Sequence, residues 1–167
     1  MAEPLEELAL QAVVQLLEGM VGVRPWGGSY PNPPRVVRRL PLSIEAIGQT
    51  PLIAVALRPD GSEYRLGEDE DMVTVGGAVG YRHTFAFDVV GYVSGTGEAG
   101  PDTWCLRLRK DILDTLCARR AAIPSVSQAR SLWPFGGCEF DPGVLGDSLR
   151  AFRQGYAVDF DEVMTLI

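Results

Sequence analysis

The stretch that decides the fold lies in the middle of the chain. It reads YRHTFAFDVVGYV over residues 81–93, GTGEAG over residues 95–100 and PDTWCLRLRKDILDTLCARR over residues 101–120. In the first segment apolar side chains such as Phe85 and Phe87 occupy alternate positions, and apolar residues then fill both faces. Alternation predicts a strand, and apolar character on both faces predicts that the strand enters the centre of a sheet.

The glycine segment that follows this strand has two interpretations. Between a strand and a helix, the spacing GxGxxG of Gly95–Gly100 is the fingerprint of a dinucleotide-binding loop. Such a loop needs free N–H groups at the start of the helix, but Pro101 removes one, and Glu98 and Asp102 place carboxylates where phosphate would lie. The acid that would bind ribose, about twenty residues further on, is also missing because that stretch is still helix. The sequence favours a tight turn, and a nucleotide-binding enzyme remains the alternative.

Two segments have helical periodicity. An apolar stripe near the start of the chain predicts a helix over residues 3–21, with Pro4 in its first turn and Gly22 and Pro25 marking its end. A second stripe predicts a helix over residues 101–120. The stripe residues are Leu5, Leu8, Ala9, Ala12, Val13, Leu16, Leu17 and Met20 in the first helix, and Trp104, Cys105, Leu108, Ile112, Leu113, Leu116 and Cys117 in the second.

The rest of the chain alternates between short apolar runs and turn-forming residues. We expect one domain over residues 1–167 in the α+β class, with a mostly antiparallel or mixed sheet of four to five strands and two main helices packed on one face. The other predicted elements are a Pro/Gly loop (22–34), strands (35–40, 51–57), a turn (58–61) closing a hairpin with 62–66, a loop or weak strand (72–80), an irregular segment (121–149) with a helical turn at 127–132, and a closing strand (154–160).

Composition limits the possible partners. The net charge of −7 argues against a protein that holds nucleic acid by neutralising phosphates. No apolar run approaches the ~20 residues that span a bilayer, and the first residues are acidic, so we expect a soluble cytosolic chain with no membrane contact. The three cysteines, Cys105, Cys117 and Cys138, are widely spaced without a CxxC motif, which favours buried thiols over a metal site or a disulfide.

Apart from the glycine motif, no motif predicts catalysis or a cofactor. His83 is the only histidine and lies within the alternating strand, so a nucleophile–histidine–acid site is not expected. No GxSxG turn occurs, and one histidine with three dispersed cysteines cannot form the usual zinc sites. The acidic run Glu68–Asp71 lacks the spacing of a calcium loop. It is interpreted as a solvated loop, with contact to a basic partner as the alternative.

Two further groups of residues are candidates for contacts. Arg35, Arg38 and Arg39 follow the aromatic residues Trp26 and Tyr30, which favours a protein contact or a salt-bridged strand over nucleic-acid binding. The second group is the segment 133–135, a Trp-Pro-Phe run whose large apolar side chains must be covered by the sheet or serve as anchors of an interface between subunits.

The order and character of these segments resemble the tail terminator, or tail-completion, proteins of long-tailed bacteriophages. The resemblance is carried by the amphipathic helix at 3–21, the Pro/Gly loop before the strand 51–57, the long strand 84–93, the helix 103–118 and the closing strand 156–160. It implies a hexameric ring that caps the tail tube, ends its polymerisation and presents the surface that joins the head or neck. The expected location is the head-proximal end of the tail in the virion, after assembly in the host cytoplasm.

The resemblance also implies a set of partners. These are further copies of the chain, the tail tube protein and a neck or head-completion protein, with DNA only passing through the lumen and no cofactor. An acidic chain suits such a channel because like charges prevent DNA from sticking, and ring closure requires two different patches on each subunit. Another head–tail joining protein is the alternative within this class. The residues expected at interfaces are Arg58, Asp60, Glu68, Asp69, Glu70, Asp71, Trp133 and Phe135.

Overall fold

The computed structural model describes residues 4–20, 30, 32–38, 44–65, 74–75, 78–95, 99–118, 129–141 and 148–164. The elements in chain order are α1 (Leu5–Glu18), β1 (Arg35–Val37), α2 (Ile44–Ile47), β2 (Leu52–Arg65), β3 (Thr74–Val75), β4 (Ala78–Ser94), α3 (Pro101–Ala118), β5 (Ala129–Phe140) and β6 (Leu149–Met164).

The strands form one mixed sheet around β4. The order along the sheet is β1-β2-β4-β6-β5, and β3 pairs with the first residues of β4. β4 lies antiparallel to β2 on one side and to β6 on the other, β5 lies antiparallel to β6, and only the short pair β1–β2 is parallel. The predicted α+β fold with a mostly antiparallel sheet is confirmed, and so is the central position of the strand that is apolar on both faces.

Both long helices pack on the same face of the sheet. α1 and α3 share one core with side chains from β2, β4 and β6, among them the fully buried Phe87 and Tyr156. On α3 the residues Leu108, Ile112 and Leu116 are completely buried at three- and four-residue steps. Burial of each such side chain contributes about 1.5–3 kcal/mol, so this stripe fixes the helix on the sheet.

The opposite face is covered at one end by the short helix α2. Ile47 packs there on a smaller cluster that includes Leu52, Val90 and Tyr92. The alternation of side chains along β4 carries Asp88 to this same face, further from α2. The face therefore has an apolar end beneath α2 and a charged region beyond it.

The predicted hairpin at residues 51–66 is wrong. Leu57 pairs with Phe87 and Ser62 pairs with Phe85, so β2 advances five positions while β4 advances two. Arg58–Gly61 therefore form a large bulge within a single strand instead of a turn between two strands. The physical reason is the length of β4, whose 17 residues can pair with the segments on both sides of the bulge.

The description of residues 121–149 as irregular is also wrong for the part that the structure describes. β5 runs from Ala129 to Phe140, which excludes the helical turn predicted to extend to Leu132, and β6 begins at Leu149, five residues before the predicted start of the closing strand. Pro134 is compatible with β5 because this strand lies at the edge of the sheet. Gly136 has a φ of +72° within a shift of register, and this interruption hides the period of two in the sequence.

The weaker predictions have mixed outcomes. The predicted strand at 35–40 is present as β1, and the glycine-rich stretch at 72–80 contributes β3 and the start of β4. Both predicted helices are confirmed, with ends within three residues of the expected ones.

In the described part of the chain, no helix is both long enough and apolar enough to cross a membrane.

Candidate interaction site

The bulge of β2 folds across the face of the sheet opposite to α1 and α3. Gly61 is buried against β4, where a Cβ atom would collide with the carbonyl oxygen of Ala86. The side chain of Arg58 extends from the bulge past Gly155 of β6 and lies over the ring of Phe135 in β5, with its guanidinium carbon 5.2 Å from the ring centroid. Arg58 thus reaches from β2 across β4 and β6 to the edge strand β5.

The bulge and the strands beneath it enclose an open cleft of about 250 Å³, called the bulge cleft below. Its lining combines charged side chains with glycine backbone. The lining residues are Arg58, Pro59, Asp60, Asp88, Gly136, Gly137, Glu139, Arg153 and Gly155.

A buried carboxylate lies at the centre of the bulge cleft. Asp88 is 7% exposed, and its two oxygens lie 3.5 Å from Nη1 of Arg58 and 3.5 Å from Nε of Arg153. Burial raises the pKa of Asp88, and the two arginines oppose that shift only in part. Arg58 also pairs at 3.3 Å with the exposed Asp60. A guanidinium has five N–H donors, so these long contacts leave both arginines with capacity to bind another acceptor.

Glycines keep the bulge cleft open. A Cβ atom on Gly155 would collide with the carbonyl oxygen of Phe135 and with Nη1 of Arg58, whereas the same atom on Gly136 or Gly137 would meet nothing within 4 Å. The close contacts at Gly155 therefore leave no room for a side chain at this position. The two glycines of β5 instead leave space, because they lie in the register shift between Phe135 and Cys138.

Three of the residues expected at interfaces come together here. Arg58, Asp60 and Phe135 all border the bulge cleft or contact it, and Phe135 is 39% exposed. Trp133 lies two positions earlier on β5, on the same face, and is half-buried opposite Ala157. The run Glu68–Asp71 lies outside the described residues.

Sequence reasoning missed the other three charged residues of the bulge cleft, Asp88, Glu139 and Arg153. The signal for Asp88 was present, because it is the one charged residue in the apolar run from Phe85 to Val93. Charged side chains are seldom buried in a sheet unless they are paired. The sequence gives no comparable signal for Arg153, whose role depends on the pairing of β6 with β4.

A second, apolar cleft of about 240 Å³ lies on the helix-bearing face, between α3 and the edge strand. Leu106 and Phe140 line it beside Cys105, and the ion pair from Arg150 Nε to Asp102 Oδ1, at 2.9 Å, forms its rim. Leu106 is 56% exposed and Phe140 is 48% exposed. Together they form an exposed apolar patch at the β5 edge of the sheet.

The described part of the glycine motif lies close to the end of β4 and the start of α3. The N–H of Gly95 donates to the carbonyl oxygen of Ser148 at 3.1 Å, and a Cβ atom on Gly95 would collide with the ring of Pro101. Asp102 in the first turn of α3 is paired with Arg150. Residues 96–98 of the motif, including Glu98, lie outside the described residues. The Gly95 N–H is thus directed to the protein itself, away from any phosphate.

His83 is fully buried in the core. Its ring lies between Phe85 and Phe160, with centroid distances of 6.5 and 6.0 Å, and its Nε2 atom is 3.5 Å from Oε1 of Glu6 in α1. This environment suits a residue that connects α1 to the sheet.

None of the three cysteines forms a disulfide, and Cys105 is buried as expected, whereas Cys117 and Cys138 are half-buried. Burial is the main cause that raises the pKa of Cys105 to about 11, which leaves this thiol little nucleophilic character. Among the described residues no group of three His, Cys, Asp or Glu side chains is arranged to hold a metal ion.

The described arginines after the Pro/Gly loop, Arg35 and Arg38, make contacts within the fold. Arg35 donates to the carbonyl oxygen of Ile47 in α2. Arg38 binds both carboxylate oxygens of Glu7 in α1, at 2.6 and 2.8 Å. Tyr30 donates to Asp111 and packs against Trp104 at a centroid distance of 5.5 Å. Trp26 and Arg39 lie outside the described residues. These contacts agree with a salt-bridged strand.

Comparison with known proteins gives no family assignment, because no family model matches the chain and no curated protein matches it significantly.

Proposed function

We propose that this chain is a ring-forming structural subunit of the tail terminator class, which caps the tail tube of a long-tailed virus particle, ends its polymerisation and offers the joining surface for the head or neck. The order of elements supports the proposal. The helix α1, the long strands β2 and β4, the helix α3 and the last strand β6 follow one another as the resemblance implies, with β5 as an additional strand between α3 and β6.

One observation carries the proposal: among the described residues, the exposed large apolar side chains lie at two opposite edges of the sheet. Leu57 is 68% exposed on β2, beyond the three residues that pair with β1. Leu106, Phe135 and Phe140 are exposed on or beside β5, at the other end of the strand order. A subunit with one apolar patch at each of two opposite edges is suited to head-to-tail association, which closes into a ring when the rotation between subunits permits.

The structure of the β5 edge favours association through side chains. Pro134 lacks a backbone donor, and the register shift at Gly136–Gly137 interrupts the edge. Features of this kind discourage another strand from adding to a sheet. The exposed apolar side chains therefore provide the better basis for contact between subunits.

Electron microscopy of the purified protein in negative stain tests the proposal directly. We expect rings with six-fold symmetry, formed either by the protein alone or on the ends of isolated tail tubes, together with arrest of tube growth in a polymerisation assay. Binding to isolated heads without binding to tubes would assign the chain to the alternative class of neck or head-completion proteins. A chain that stays monomeric at high concentration and also fails to cap tubes would refute the proposal.

A mixing experiment tests whether the two edges are the two halves of the interface. Leu57→Asp destroys the patch on β2 and Phe140→Asp destroys the patch beside β5, so neither variant should form rings alone. Each variant keeps one intact patch, so an equimolar mixture should form a heterodimer that cannot grow further. Ala46→Asp, on the exposed side of α2, is the matched control and should leave ring formation unchanged. Failure of the mixture to form a heterodimer would contradict the assignment of these edges.

A further inference from the structure

We propose that Leu57 of one copy of this chain inserts into the apolar cleft of the next copy, the cleft that Leu106, Phe140 and Cys105 line between α3 and β5. The inference rests on the self-association proposed above. It names the side chain that enters, the cleft that receives it and the face of the sheet on which the two copies meet.

The side chain of Leu57 lies on the helix-bearing face of the sheet. Leu57 pairs with Phe87 on β4, and directly opposed residues of an antiparallel pair point to the same face. Phe87 is fully buried in the core that α1 and α3 cover. Leu57 itself is 68% exposed and lies three residues beyond Ala54, where the pairing of β1 with β2 ends. It is thus an apolar projection at this edge of the sheet.

The apolar cleft opens on the same face at the opposite edge. Phe140 pairs with Phe152 of β6, which belongs to the core beneath the helices, and Leu106 lies on α3. Phe135 is exposed at this edge too, but it contacts Arg58 on the other face. The apolar cleft therefore shares a face with the exposed leucine of β2, whereas Phe135 does not.

Rotation about a ring axis keeps this match of faces. Neighbouring subunits of a closed ring are related by the same rotation, about 60° for six copies, so the helix-bearing faces of two adjacent sheets lie on the same side of the ring wall. An edge patch on that face of one copy therefore meets the patch on that face at the facing edge of the next copy. Leu57 and the apolar cleft are placed in this way.

The apolar cleft has the size and lining that an aliphatic side chain requires. Its volume is about 240 Å³, and an apolar cavity of about 150 Å³ is already large enough for a benzene molecule. Three charged residues also line it, Asp102, Asp141 and Arg150, and Arg150 Nε binds Asp102 Oδ1 at 2.9 Å. A neutral side chain can fill the apolar part of the cleft without breaking this ion pair, and it leaves no half-buried charge uncompensated.

The chain itself supplies the occupant of the apolar cleft. Leu57 is the most exposed large apolar side chain among the described residues, at 68% against 39–56% for the other three. Each copy therefore carries one apolar projection and one apolar cleft on the same face at opposite edges, which are the two different patches that a head-to-tail contact needs. Both copies carry −7 overall, so their contact gains from an attraction that does not depend on charge, and burial of Leu57 provides it.

Disulfide trapping in the full-length chain tests the inference. The variant Leu57→Cys/Leu106→Cys would be treated with the thiol oxidant diamide, alone and on tail tubes, and the joined peptides would be identified by mass spectrometry. Leu57→Cys/Phe135→Cys is the matched control, because Phe135 is exposed at the same edge but on the other face. Leu57→Cys alone measures the background from the three native thiols. Circular dichroism checks that each variant is folded.

Alanine variants provide a second test, in which association is measured by sedimentation velocity or, where the chain associates only on tubes, by titration of tube ends. Leu57→Ala should weaken association about tenfold or more, as loss of a buried aliphatic side chain does. Combined with Leu106→Ala, it should weaken association by less than the product of the two single effects, because the two side chains contact each other. Combined with Phe135→Ala, the single effects should multiply.

We expect Leu57→Cys/Leu106→Cys to form a ladder of covalent multimers at least about tenfold faster than the control pair, because thiols held in contact react as if at a high effective concentration. Equal trapping in the control pair, or effects of Leu57→Ala and Leu106→Ala that simply multiply, would overturn the inference. Rings or capped tubes without this trapping would overturn it while leaving the proposed function intact. Trapped multimers that neither form six-fold rings nor cap tubes would support the inference and refute the proposed function. A chain that shows no association in either assay would refute both.

Discussion

Replacing Gly155 by alanine tests whether the bulge cleft depends on the absence of a side chain at one position. The new methyl group would collide with the carbonyl oxygen of Phe135 and with Nη1 of Arg58. Arg58 can move at the flexible end of its side chain, but the carbonyl belongs to the backbone of β5 and can move only if the β5–β6 pairing is distorted. We therefore expect a destabilisation of about 1–3 kcal/mol, the range found when a well-packed site is overfilled.

Gly137→Ala is the matched control for this substitution. It makes the same chemical change in the lining of the same bulge cleft, but the added methyl group meets nothing within 4 Å. Because alanine restricts the unfolded chain more than glycine does, this variant should be stabilised by about 0.4–1 kcal/mol. The two glycine variants should consequently shift the free energy of unfolding in opposite directions.

Urea unfolding followed by circular dichroism measures both effects, and thermal unfolding provides a second readout. For a chain of this size, Gly155→Ala should lower the Tm by about 2–12 °C. Adding Arg58→Ala to Gly155→Ala should recover only a minor part of the loss, because the backbone contact with Phe135 remains. If Gly155→Ala were as stable as the wild type, the edge strand would be more easily displaced than its pairing with β6 implies.

Three further predictions concern titratable groups. Burial raises the pKa of Asp88 in the folded protein. The contribution of Asp88 to stability is therefore complete below its pKa in the unfolded chain and is lost as the pH rises through its pKa in the folded protein. In urea unfolding, Asp88→Asn should match the wild type in stability near about pH 3 and exceed it near about pH 8. The hydrogen bonds that Glu7 accepts from Arg38 lower the pKa of Glu7 to about 2. The variant Glu7→Gln should therefore be less stable to unfolding than the wild type by under about 1 kcal/mol at neutral pH, and the difference should disappear as the pH falls from about 4.5 to 2. With a pKa of about 11, Cys105 has about one thiolate per thousand molecules at pH 8, so mass spectrometry after brief alkylation should find it modified more slowly than the half-buried Cys138.

The elements predicted correctly from the sequence are those whose pattern is local. The stripes of α1 and α3 repeat every three to four residues over four to five turns, so each helix is specified by its own segment. The central position of β4 follows from the run Val89–Val93, whose apolar residues on both faces need cover on both sides. These features depend on a single stretch of chain, and neighbouring residues are enough to identify them.

The errors concern pairing between distant segments. The Arg58–Gly61 segment does interrupt the ladder, as its proline and glycine predict, but whether it forms a hairpin turn or a bulge depends on β4, more than twenty residues later. β5 was missed because Pro134 and the glycines at 136 and 137 are typical of loops. They are tolerated in this strand because it pairs on one side only among the described residues.

The bulge cleft could not be predicted as a site for the same reason. Arg58, Asp88 and Arg153 come from three strands, and only the order β2-β4-β6 places them together. The residues expected at interfaces were chosen for exposure and turn chemistry, which identified Arg58, Asp60 and Phe135 but gave no reason for them to meet. A buried acid in an apolar strand was the one local sign that a cation from elsewhere in the fold must lie nearby.

The two faces of the sheet differ in their distribution of charge and apolar surface. One face carries both long helices and supplies the core, while the other face, beyond α2, carries the bulge cleft. Changes to the charged side chains of the cleft should therefore have little effect on the packing of α1 and α3. Because the β5 edge is blunted by Pro134 and by the glycine bulge, the ring proposed for this chain is expected to depend on contacts between side chains at defined positions. Such contacts specify both a neighbour and an angle, and a ring that closes at a fixed number of subunits requires both.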